Sequence, residues 1–395
     1  MNEGALAGLR VLDLTNQLSG PYCAMLLADL GADVVKVERP GVGDDARHTS
    51  PRVGGESAAF MTYNRNKRSV TLDLKRPEGR AIALELAKRA DVVLENFRPG
   101  TAARLGLAYA AVEAINPSVV YGSISGFGQT GPYRDRGGFD RIALGMSGVM
   151  SINGPEDGPP YPIPIPVADI GTGMFACIAI LAALAARART GEGQYVETSL
   201  LETPIAWSVY EAATYFATGQ VPGRLGPGHR ASAPYQAFRT KDGWINLGGG
   251  SPRFWPRICE ILGLDDLVEA PRFKSLADRV SRRKELEELL EARFVTEPTA
   301  YWLERLEAVG VPAGPILTYD QVFADPHVVH REMVVPIEHP TAGPTRVLGV
   351  PFKMSGTPAR VRQPAPTLGQ HTDEVLAQLG YSDADVARLR AEQIV

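Results

Sequence analysis

The run Leu9-Arg10-Val11-Leu12-Asp13-Leu14 and the run Asp33-Val34-Val35-Lys36-Val37-Glu38 enclose a helical pattern over residues 21–30. A strand, a helix and a strand in this order predict two parallel strands joined by a crossover helix. The alternation continues with strands predicted over residues 69–74, 91–96 and 119–124, and with a helix beginning near Pro77. Such alternation is typical of an α/β protein with a doubly wound sheet covered by helices.

The later part of the chain has a different pattern. Residues 170–218 are predicted to be mainly helical, with a short strand over 195–198, and the Gly- and Pro-rich residues 218–228 read as a linker or mobile loop. A hairpin is predicted over 235–247 around Lys241-Asp242-Gly243, followed by helices over 252–262, 278–294 and 299–309. Short strands over 334–337 and 345–350 precede a final helix over 372–378. The hairpin and the three helices that follow it, over residues 235–309, indicate a second, smaller domain.

The composition limits the function classes. The chain has 395 residues, of which 44% are hydrophobic and 22% charged, and its formal net charge is -4. A nucleic-acid-binding surface needs an excess of Lys and Arg, so we expect none. Residues 174–186, the longest apolar stretch, are too short to cross a bilayer comfortably. Three scattered cysteines and the absence of a secretory pattern predict a cytoplasmic protein that does not bind a membrane.

Two cofactor classes are not supported by the sequence. The turn after the first strand is Thr15-Asn16-Gln17-Leu18-Ser19-Gly20-Pro21, which lacks the G-x-G-x-x-G that brings a dinucleotide pyrophosphate to a helix N-terminus. A nicotinamide enzyme is therefore not expected, although Glu38 stands where a ribose-binding acid would. His327 and His330 have a spacing near that of metal ligands, but they lack the further ligands that complete a site.

Positive residues recur near the ends of the predicted strands, where open α/β sheets bind ligands. They are Arg39, the cluster Arg65-Asn66-Lys67-Arg68, Arg98 and Arg104. A ligand with several phosphates would explain this recurrence, since guanidinium groups fork onto phosphate oxygens. Solvated loop cations are the alternative interpretation of Arg39 and of the cluster over residues 65–68.

Asp169 lies between the proline-rich run over residues 161–168 and a helix predicted from Ile170 to about residue 186. Gly171 and Gly173 follow it, and a glycine allows a bulky ligand to approach the backbone closely. A carboxylate here is a candidate nucleophile beside the free N–H groups of a helix start. Because Asp is also among the best N-cap residues, capping is the alternative, and the two roles are compatible.

Seven ordered motifs resemble those of the class III coenzyme A (CoA) transferases (CaiB/BaiF type). This family includes formyl-CoA:oxalate and carnitine CoA-transferases, and its relatives include α-methylacyl-CoA racemase. The resemblance covers nearly the whole chain. Its motifs are Asn66-Lys67-Arg68-Ser69, Glu95-Asn96-Phe97-Arg98-Pro99-Gly100, Ala168-Asp169-Ile170-Gly171-Thr172-Gly173, Leu368-Gly369-Gln370-His371-Thr372, and residues 8–13, 31–40 and 126–133.

The resemblance implies the site residues and the assembly. Asp169 matches the family nucleophile, which favours the chemical role over the cap. The predicted CoA contacts are Gln17, Arg39, Leu72, Lys75, Asn96, Phe97, Arg98, Arg104 and Asp140. CoA would be a substrate, with no permanently bound cofactor. The resemblance also implies a large Rossmann-like domain from residues 1–200 and 310–395, a small α+β domain over 225–295, and an interlocked homodimer with active sites between subunits.

The resemblance further implies transfer of CoA from an acyl-CoA to a carboxylic acid, through an aspartyl-CoA thioester. Succinyl-CoA or another short acyl-CoA is a candidate donor. Backbone N–H groups of residues 171–173, or of a glycine loop, would stabilise the oxyanions. The racemase branch needs a His where this chain has Phe139, and a benzyl group cannot exchange a proton. Racemisation is therefore disfavoured, and a non-catalytic CoA-binding homologue is the third hypothesis.

Several residues keep two interpretations. Asp140 either orients the site, or hydrogen-bonds to neighbouring backbone, or is the N-cap of a helix over residues 141–144. Residues 248–250, three glycines, are either a flexible cover for the intermediate or a plain turn. Arg47 and His229-Arg230 either pair with a second substrate carboxylate or are surface charges.

Overall fold

A computed structural model describes residues 4–395 of the chain. The strands are β1 (Arg10–Asp13), β2 (Asp33–Glu38), β3 (Arg52–Val53), β4 (Glu56–Ser57), β5 (Lys67–Thr71), β6 (Val92–Glu95), β7 (Val120–Ser125), β8 (Gln194–Ser199), β9 (Tyr235–Arg239), β10 (Trp244–Gly248), β11 (Ala313–Pro315), β12 (Val334–His339) and β13 (Gly343–Leu348). The α-helices are α1 (Ser19–Asp29), α2 (Ala58–Tyr63), α3 (Pro77–Lys88), α4 (Thr101–Arg104), α5 (Tyr109–Glu113), α6 (Asp140–Met146), α7 (Val149–Ile152), α8 (Val167–Thr190), α9 (Glu202–Trp207), α10 (Val209–Thr218), α11 (Trp255–Leu262), α12 (Leu276–Ser281), α13 (Arg283–Phe294), α14 (Thr299–Ala308), α15 (Tyr319–Ala324), α16 (Pro326–His330), α17 (Thr372–Leu379) and α18 (Asp383–Ala391).

Six strands form one parallel sheet in the order β5-β2-β1-β6-β7-β8. Because the chain builds outward from β1 in one direction and then from β6 in the other, the strand order reverses between these two strands. The predicted parallel α/β sheet is confirmed. In such sheets the crevice at the carboxyl ends of the strands beside the reversal is the usual ligand site.

Helices cover both faces of this sheet because successive strand residues point to opposite sides. Leu12 faces a core that contains residues of α3, α17 and α18. Val11 faces the other core, built with α1 and α8. Both residues are almost fully buried. Strand β1 is thereby packed against helices on both faces of the sheet.

Helix α8 is longer than the sequence pattern predicted, since it begins at Val167 and runs for 24 residues. By length and composition it could cross a membrane. Its Ala176, Cys177, Ile180 and Ala183 are buried in the core shared with α1, which is the environment of a central core helix. The predicted start at Ile170 was three residues late, because Val167 and Ala168 form the first turn rather than the end of the extended run.

The contacts divide the chain into two compact units. The larger consists of residues 4–149, 162–212 and 326–395, and the smaller of residues 150–161 and 213–325. In the smaller unit, β9 and β10 form the predicted antiparallel hairpin, and β11 adds to its edge. Residues 313–315 were predicted to belong to the C-terminal segment, but they pair with residues 245–247 and so belong to this sheet. The helix predicted over 278–294 is two helices, α12 and α13.

Candidate active site

The loop after β1 lies at the strand-order reversal and is held to the end of β6. The Asn16 N–H donates to Asn96 Oδ1 at 2.9 Å, and the Asn96 amide donates back to the Asn16 carbonyl at 2.8 Å. Gln17 has a positive φ of 67° and donates its N–H to Asp44 Oδ1 at 2.9 Å. The side chain of Asn96, a predicted CoA contact, therefore shapes this loop.

A buried charge network lies beneath this loop. Lys36 donates to the Thr15 carbonyl at 2.6 Å and pairs with Asp44 at 2.9 Å. Lys67 pairs with Asp13 at 3.0 Å, and all four charged side chains are fully buried. Burial alone would raise the pKa of Asp13, but the charges of Lys67 and Lys36 outweigh it and hold that pKa below its ordinary value. Buried charges of this kind are tolerated only when each has a partner.

The basic cluster over residues 65–68 is neither the predicted phosphate site nor a solvated loop. Arg65 is buried and binds Asp29 at 2.7 Å, and Lys67 belongs to the network above. Arg68 pairs with Asp33 and Glu374. Each cation already has a carboxylate partner from another element.

Arg47 also has a structural role, because it is paired with a carboxylate in the protein interior. Its guanidinium binds Glu38 with two contacts of 2.7 Å and lies 3.8 Å from the centre of the Phe60 ring. Both charged side chains are buried. Neither proposed use of Arg47, as a surface charge or as a partner for a substrate carboxylate, agrees with this geometry. Glu38 is likewise occupied and does not offer its carboxylate to a ribose.

Asp169 opens into a cavity of about 850 Å³ in the larger unit, at the carboxyl edge of the sheet. The predicted residues that line it with Asp169 are Gln17, Asn96, Phe97 and Arg98. Phe139 forms part of the wall and is 68% exposed. Most of the remaining lining is apolar, including Leu18, Tyr22, Met25, Ile124, Leu200 and Leu348.

A second cavity of about 730 Å³ lies on the other side of Phe97, which lines both. It brings together Arg39, Leu72 and Lys75, which the sequence predicted as CoA contacts. Arg104 lies close by, since its guanidinium donates to Thr101 of this cavity at 2.7 Å. The cationic residues and Asp169 thus occupy two adjoining compartments of one unit.

Asp169 does not cap its own helix. It is the third residue of α8, and the cap comes from Asp140, whose Oδ1 accepts N–H groups from Ala168 at 2.8 Å and from Asp169 at 3.2 Å. The N-cap interpretation of Asp169 was wrong for this reason. Asp140 is the first residue of α6 and not its N-cap, so its predicted hydrogen bond to neighbouring backbone is confirmed.

The carboxyl group of Asp169 has an unusual environment. Burial, and then the negative charge of Asp140, raise its pKa from 3.8 to about 7. Asp169 has no ion-pair partner anywhere in residues 4–395. A carboxylate with a pKa near neutrality is a better nucleophile than an ordinary one and still ionises at physiological pH.

The glycines after Asp169 make room for protein rather than for ligand. A Cβ on Gly171 would lie 2.0 Å from the Trp207 ring, and one on Gly173 would lie 2.5 Å from the Ser19 carbonyl oxygen. Residues 171–173 are inside α8, where their N–H groups belong to the helix. The structure therefore does not support the expectation that these N–H groups stabilise an oxyanion.

Tyr63 is a residue of this cavity that the sequence analysis missed. It ends α2 and lines the cavity with Asp169. Burial, and then the charge of Asp44, raise the pKa of Tyr63 well above its ordinary value, and Asp169 adds to the effect. Its hydroxyl therefore stays protonated and can donate a hydrogen bond. Its position three residues before Asn66-Lys67-Arg68-Ser69 was the available signal.

Gly248 ends β10 in the smaller unit, and Gly249 and Gly250 follow it in a tightly packed segment. A Cβ on Gly249 would lie 2.5 Å from the Ile258 side chain, and one on Gly250 would lie 1.6 Å from Ser232 Oγ. Gly248 donates its N–H to the Pro312 carbonyl at 2.7 Å. Packing alone accounts for glycine here, which agrees with the turn interpretation.

Comparison with known proteins agrees with this geometry. The larger unit is a doubly wound α/β domain, with Asp169 in the crevice at the strand-order reversal where such sheets bind ligands. The model of CoA-transferase family III matches residues 6–372, and the chain belongs to that family. The chain is thus a class III CoA-transferase.

Similar proteins have been named in several organisms. The chain is 42% identical to succinyl-CoA:glutarate CoA-transferase of Mus musculus, over 99% of this chain and 90% of that one. It is 40% identical to succinate–glutarate CoA-transferase of Agrobacterium fabrum, with 95% of each chain covered. A solved CaiB/BaiF family protein from Brucella suis has 38% identity and a TM-score of 0.87, covering 95% of this chain and all of that one.

Proposed function

We propose that this enzyme transfers CoA from succinyl-CoA to a dicarboxylic acid of the glutarate type, with Asp169 as the nucleophile. The names of similar proteins support the substrates, since they include succinyl-CoA:glutarate and succinyl-CoA–D-citramalate CoA-transferases. The single observation that carries the role of Asp169 is its position. It is the carboxyl group without a cation partner in a cavity that adjoins the Arg39 and Lys75 compartment.

Asp169 would act in four acyl transfers. Its carboxylate attacks the succinyl thioester carbonyl and the C–S bond breaks. This releases CoA thiolate and forms a mixed anhydride of Asp169 and succinate. The thiolate then attacks the aspartyl carbonyl, which forms an enzyme-CoA thioester and releases succinate. The acceptor carboxylate attacks this thioester, and the returning thiolate attacks the acceptor carbonyl and frees Asp169. Each step conserves an activated acyl group, so the thioester is not lost to water.

The two cavities suit an extended CoA molecule. The second cavity would hold the nucleotide end against Arg39, Lys75 and nearby Arg104, because phosphates are bound by cationic side chains. The pantetheine arm would pass Phe97 and reach Asp169. Gln17 would then border the thiol end. Asp140 is not in the lining of either cavity, and it would act on the site through the backbone of Ala168 and Asp169.

We further propose that the protein works in the cytoplasm as an interlocked homodimer with no permanently bound cofactor. Exposed apolar side chains of the larger unit support an extensive contact with a second copy. They are Met174, Ile178, Ile205 and Trp207. Size-exclusion chromatography with light scattering would give the mass of a dimer, and a monomeric mass would contradict this proposal.

The transfer reaction itself is tested with purified enzyme, succinyl-CoA and glutarate, by following glutaryl-CoA with mass spectrometry. We expect glutaryl-CoA to form, and Asp169→Asn to reduce the rate by roughly a thousandfold or more, as removal of a catalytic nucleophile does. Asp135→Asn is the matched control, since Asp135 has an 82% exposed side chain. An undiminished rate in Asp169→Asn would refute the role of Asp169.

The racemase alternative gains no support from the site. Phe139 lines the cavity of Asp169 and offers no proton-transfer group. Incubation with a 2-methylacyl-CoA in deuterated water should therefore give no exchange at the α-carbon.

A further inference from the structure

The positive side chains around the crevice divide into two groups. Arg39 and Lys75 line the second cavity, whereas Arg98 and Arg136 line the cavity of Asp169. Arg65 also borders that cavity, but its charge is neutralised by Asp29. Two uncompensated guanidinium groups therefore remain beside the nucleophile.

Arg98 and Arg136 have no ion-pair partner within residues 4–395, and both are exposed. Nη2 of Arg98 reaches the segment that carries Arg136, because it lies 3.7 Å from the Cβ position of Gly137. Arg136 packs on the Tyr133 ring, with its guanidinium carbon 3.9 Å from the ring centre. Stacking on an aromatic ring orients a guanidinium and leaves its N–H groups free.

The backbone beside Arg136 is fixed by contact between two glycines. A Cβ on Gly138 would lie 2.4 Å from the Gly126 Cα, so the segment lies directly against the chain that follows β7. The Arg98 guanidinium lies within ordinary van der Waals distance of the Cβ position of Gly137. The Arg98 guanidinium thus lies against the segment that carries Arg136, and both arginines line the cavity of Asp169.

The distribution of negative charge along CoA indicates which part of the substrates these arginines contact. All the phosphates of CoA are at its nucleotide end, and its pantetheine arm is neutral. A cation at the thiol end therefore faces the acyl group or the acceptor acid. Because the walls are otherwise largely apolar, an anion here would be bound mainly by these two side chains.

We propose that Arg98 and Arg136 bind the distal carboxylate of a dicarboxylic acid or dicarboxylyl group whose other carboxyl carbon reacts at Asp169. This assignment rests on the proposed transferase function and deepens it, since it makes the pair the determinant of acid specificity. It also moves Arg98 from the predicted CoA contacts to the acid-binding part of the cavity. The reacting carboxylate and the distal one are then recognised by separate groups in one compartment.

The test compares two acceptors of equal chain length, glutarate and pentanoate, at saturating succinyl-CoA. Both reactions share the donor half-reaction, so the ratio of their kcat/KM values isolates recognition of the distal carboxylate. We expect Arg136→Met and Arg98→Met each to lower kcat/KM for glutarate about 10- to 100-fold, the usual effect of losing a hydrogen bond to a charged group. The pentanoate value should stay unchanged or rise, and the glutarate loss should appear mainly in KM.

Arg134→Met is the matched control, because Arg134 is in the same segment but pairs with Asp135 at 3.4 Å. It should leave the glutarate-to-pentanoate ratio unchanged. An unchanged ratio in both Arg98→Met and Arg136→Met would overturn this inference while the transferase function stands. A wild-type enzyme that transfers CoA to neither acid would instead refute the proposed function, and the inference with it.

Discussion

Two carboxyl groups at the same edge of the sheet, fully buried Asp13 and half-buried Asp169, have opposite environments. Asp13 ends β1 and is surrounded by Lys67 and Lys36, whose charges lower its pKa against the effect of burial. Asp169, the third residue of α8, lies beside another carboxylate, and burial with that charge raises its pKa to about 7. The paired charge of Asp13 therefore stabilises the fold beneath the loop, whereas the unpaired carboxyl group of Asp169 is available for chemistry. A carboxyl group with a strongly shifted pKa in a cavity is typical of functional sites.

The largest expected effect comes from breaking the compensated region. Lys67→Met would leave Asp13 buried without its nearest cation, and would remove the bonds to Asn64 and Pro21. We expect a loss of about 3–5 kcal/mol in the free energy of unfolding, measured by urea denaturation. Lys88→Met, at an exposed position of α3, should change it by less than about 0.5 kcal/mol. A loss below about 1 kcal/mol in Lys67→Met would contradict the structural role of the network.

Removing the charge of Asp169 is expected to raise the free energy of unfolding rather than lower it. Its pKa is raised on folding, so its contribution to stability is present below about pH 4 and is lost as pH rises through about 7. At pH 8 the wild-type protein holds an unfavourable, half-buried charge that Asp169→Asn removes. We expect this variant to be more stable than wild type by on the order of 2 kcal/mol at pH 8, with little difference at pH 4.

The stability of Asp169→Asn is measured by urea denaturation at both pH values. Asp13→Asn serves as the contrast, since it removes a charge that has partners and should destabilise the protein at pH 8. If Asp169→Asn were the less stable of the two at pH 8, the difference between the two carboxyl groups would not hold.

A smaller effect should appear in the pH dependence of activity. Transfer requires ionised Asp169, so kcat/KM should rise with pH through about 7. Asp140→Asn keeps an oxygen that can accept the Ala168 N–H but removes the negative charge, so the pKa of Asp169 should fall. We expect the acid limb of the profile to move down by about one pH unit. A limb that stays in place, or moves up, would contradict the electrostatic role of Asp140.

The smallest expected effect concerns the CoA compartment. Arg39→Met should raise KM for succinyl-CoA by about five- to tenfold with little change in kcat, because its contact is made equally in ground and transition states. Arg68→Met is the contrast, since Arg68 pairs with Asp33 and Glu374 and should leave this KM unchanged. Arg39 itself pairs with Asp45, but both side chains are more than half exposed, so this pair is weak and the guanidinium stays available to a phosphate. An equal rise in both variants would mean that the division between buried, committed cations and exposed, available ones is wrong.

Much of the fold could be predicted from local sequence. The strands of the main sheet are short apolar runs between turn residues, and their order follows from the alternation with helices. Helix α18 was missed because Val386 and Leu389 are its only buried residues among the nine, which leaves a weak apolar pattern. The small-unit strand β11 was missed because three residues, Ala313–Pro315, give almost no periodic signal.

The partners of the charged residues could not be predicted in the same way. Asp140 is 29 residues from Asp169, and Lys67 is 54 residues from Asp13. Nothing in the local sequence distinguishes Arg68, which is paired, from Arg136, which is not. The sequence motifs identified Asp169 and the cationic strand ends, but only the packing separates structural charges from those available to a substrate.

The central claim is that Asp169 carries CoA during the reaction. Incubation with succinyl-CoA and hydroxylamine, followed by peptide mass spectrometry, tests it directly because hydroxylamine converts an aspartyl thioester into a hydroxamate. We predict a hydroxamate on the peptide that contains Asp169, dependent on succinyl-CoA and absent from Asp169→Asn. A hydroxamate on another residue, or CoA transfer at the full rate with no trapped adduct, would contradict it.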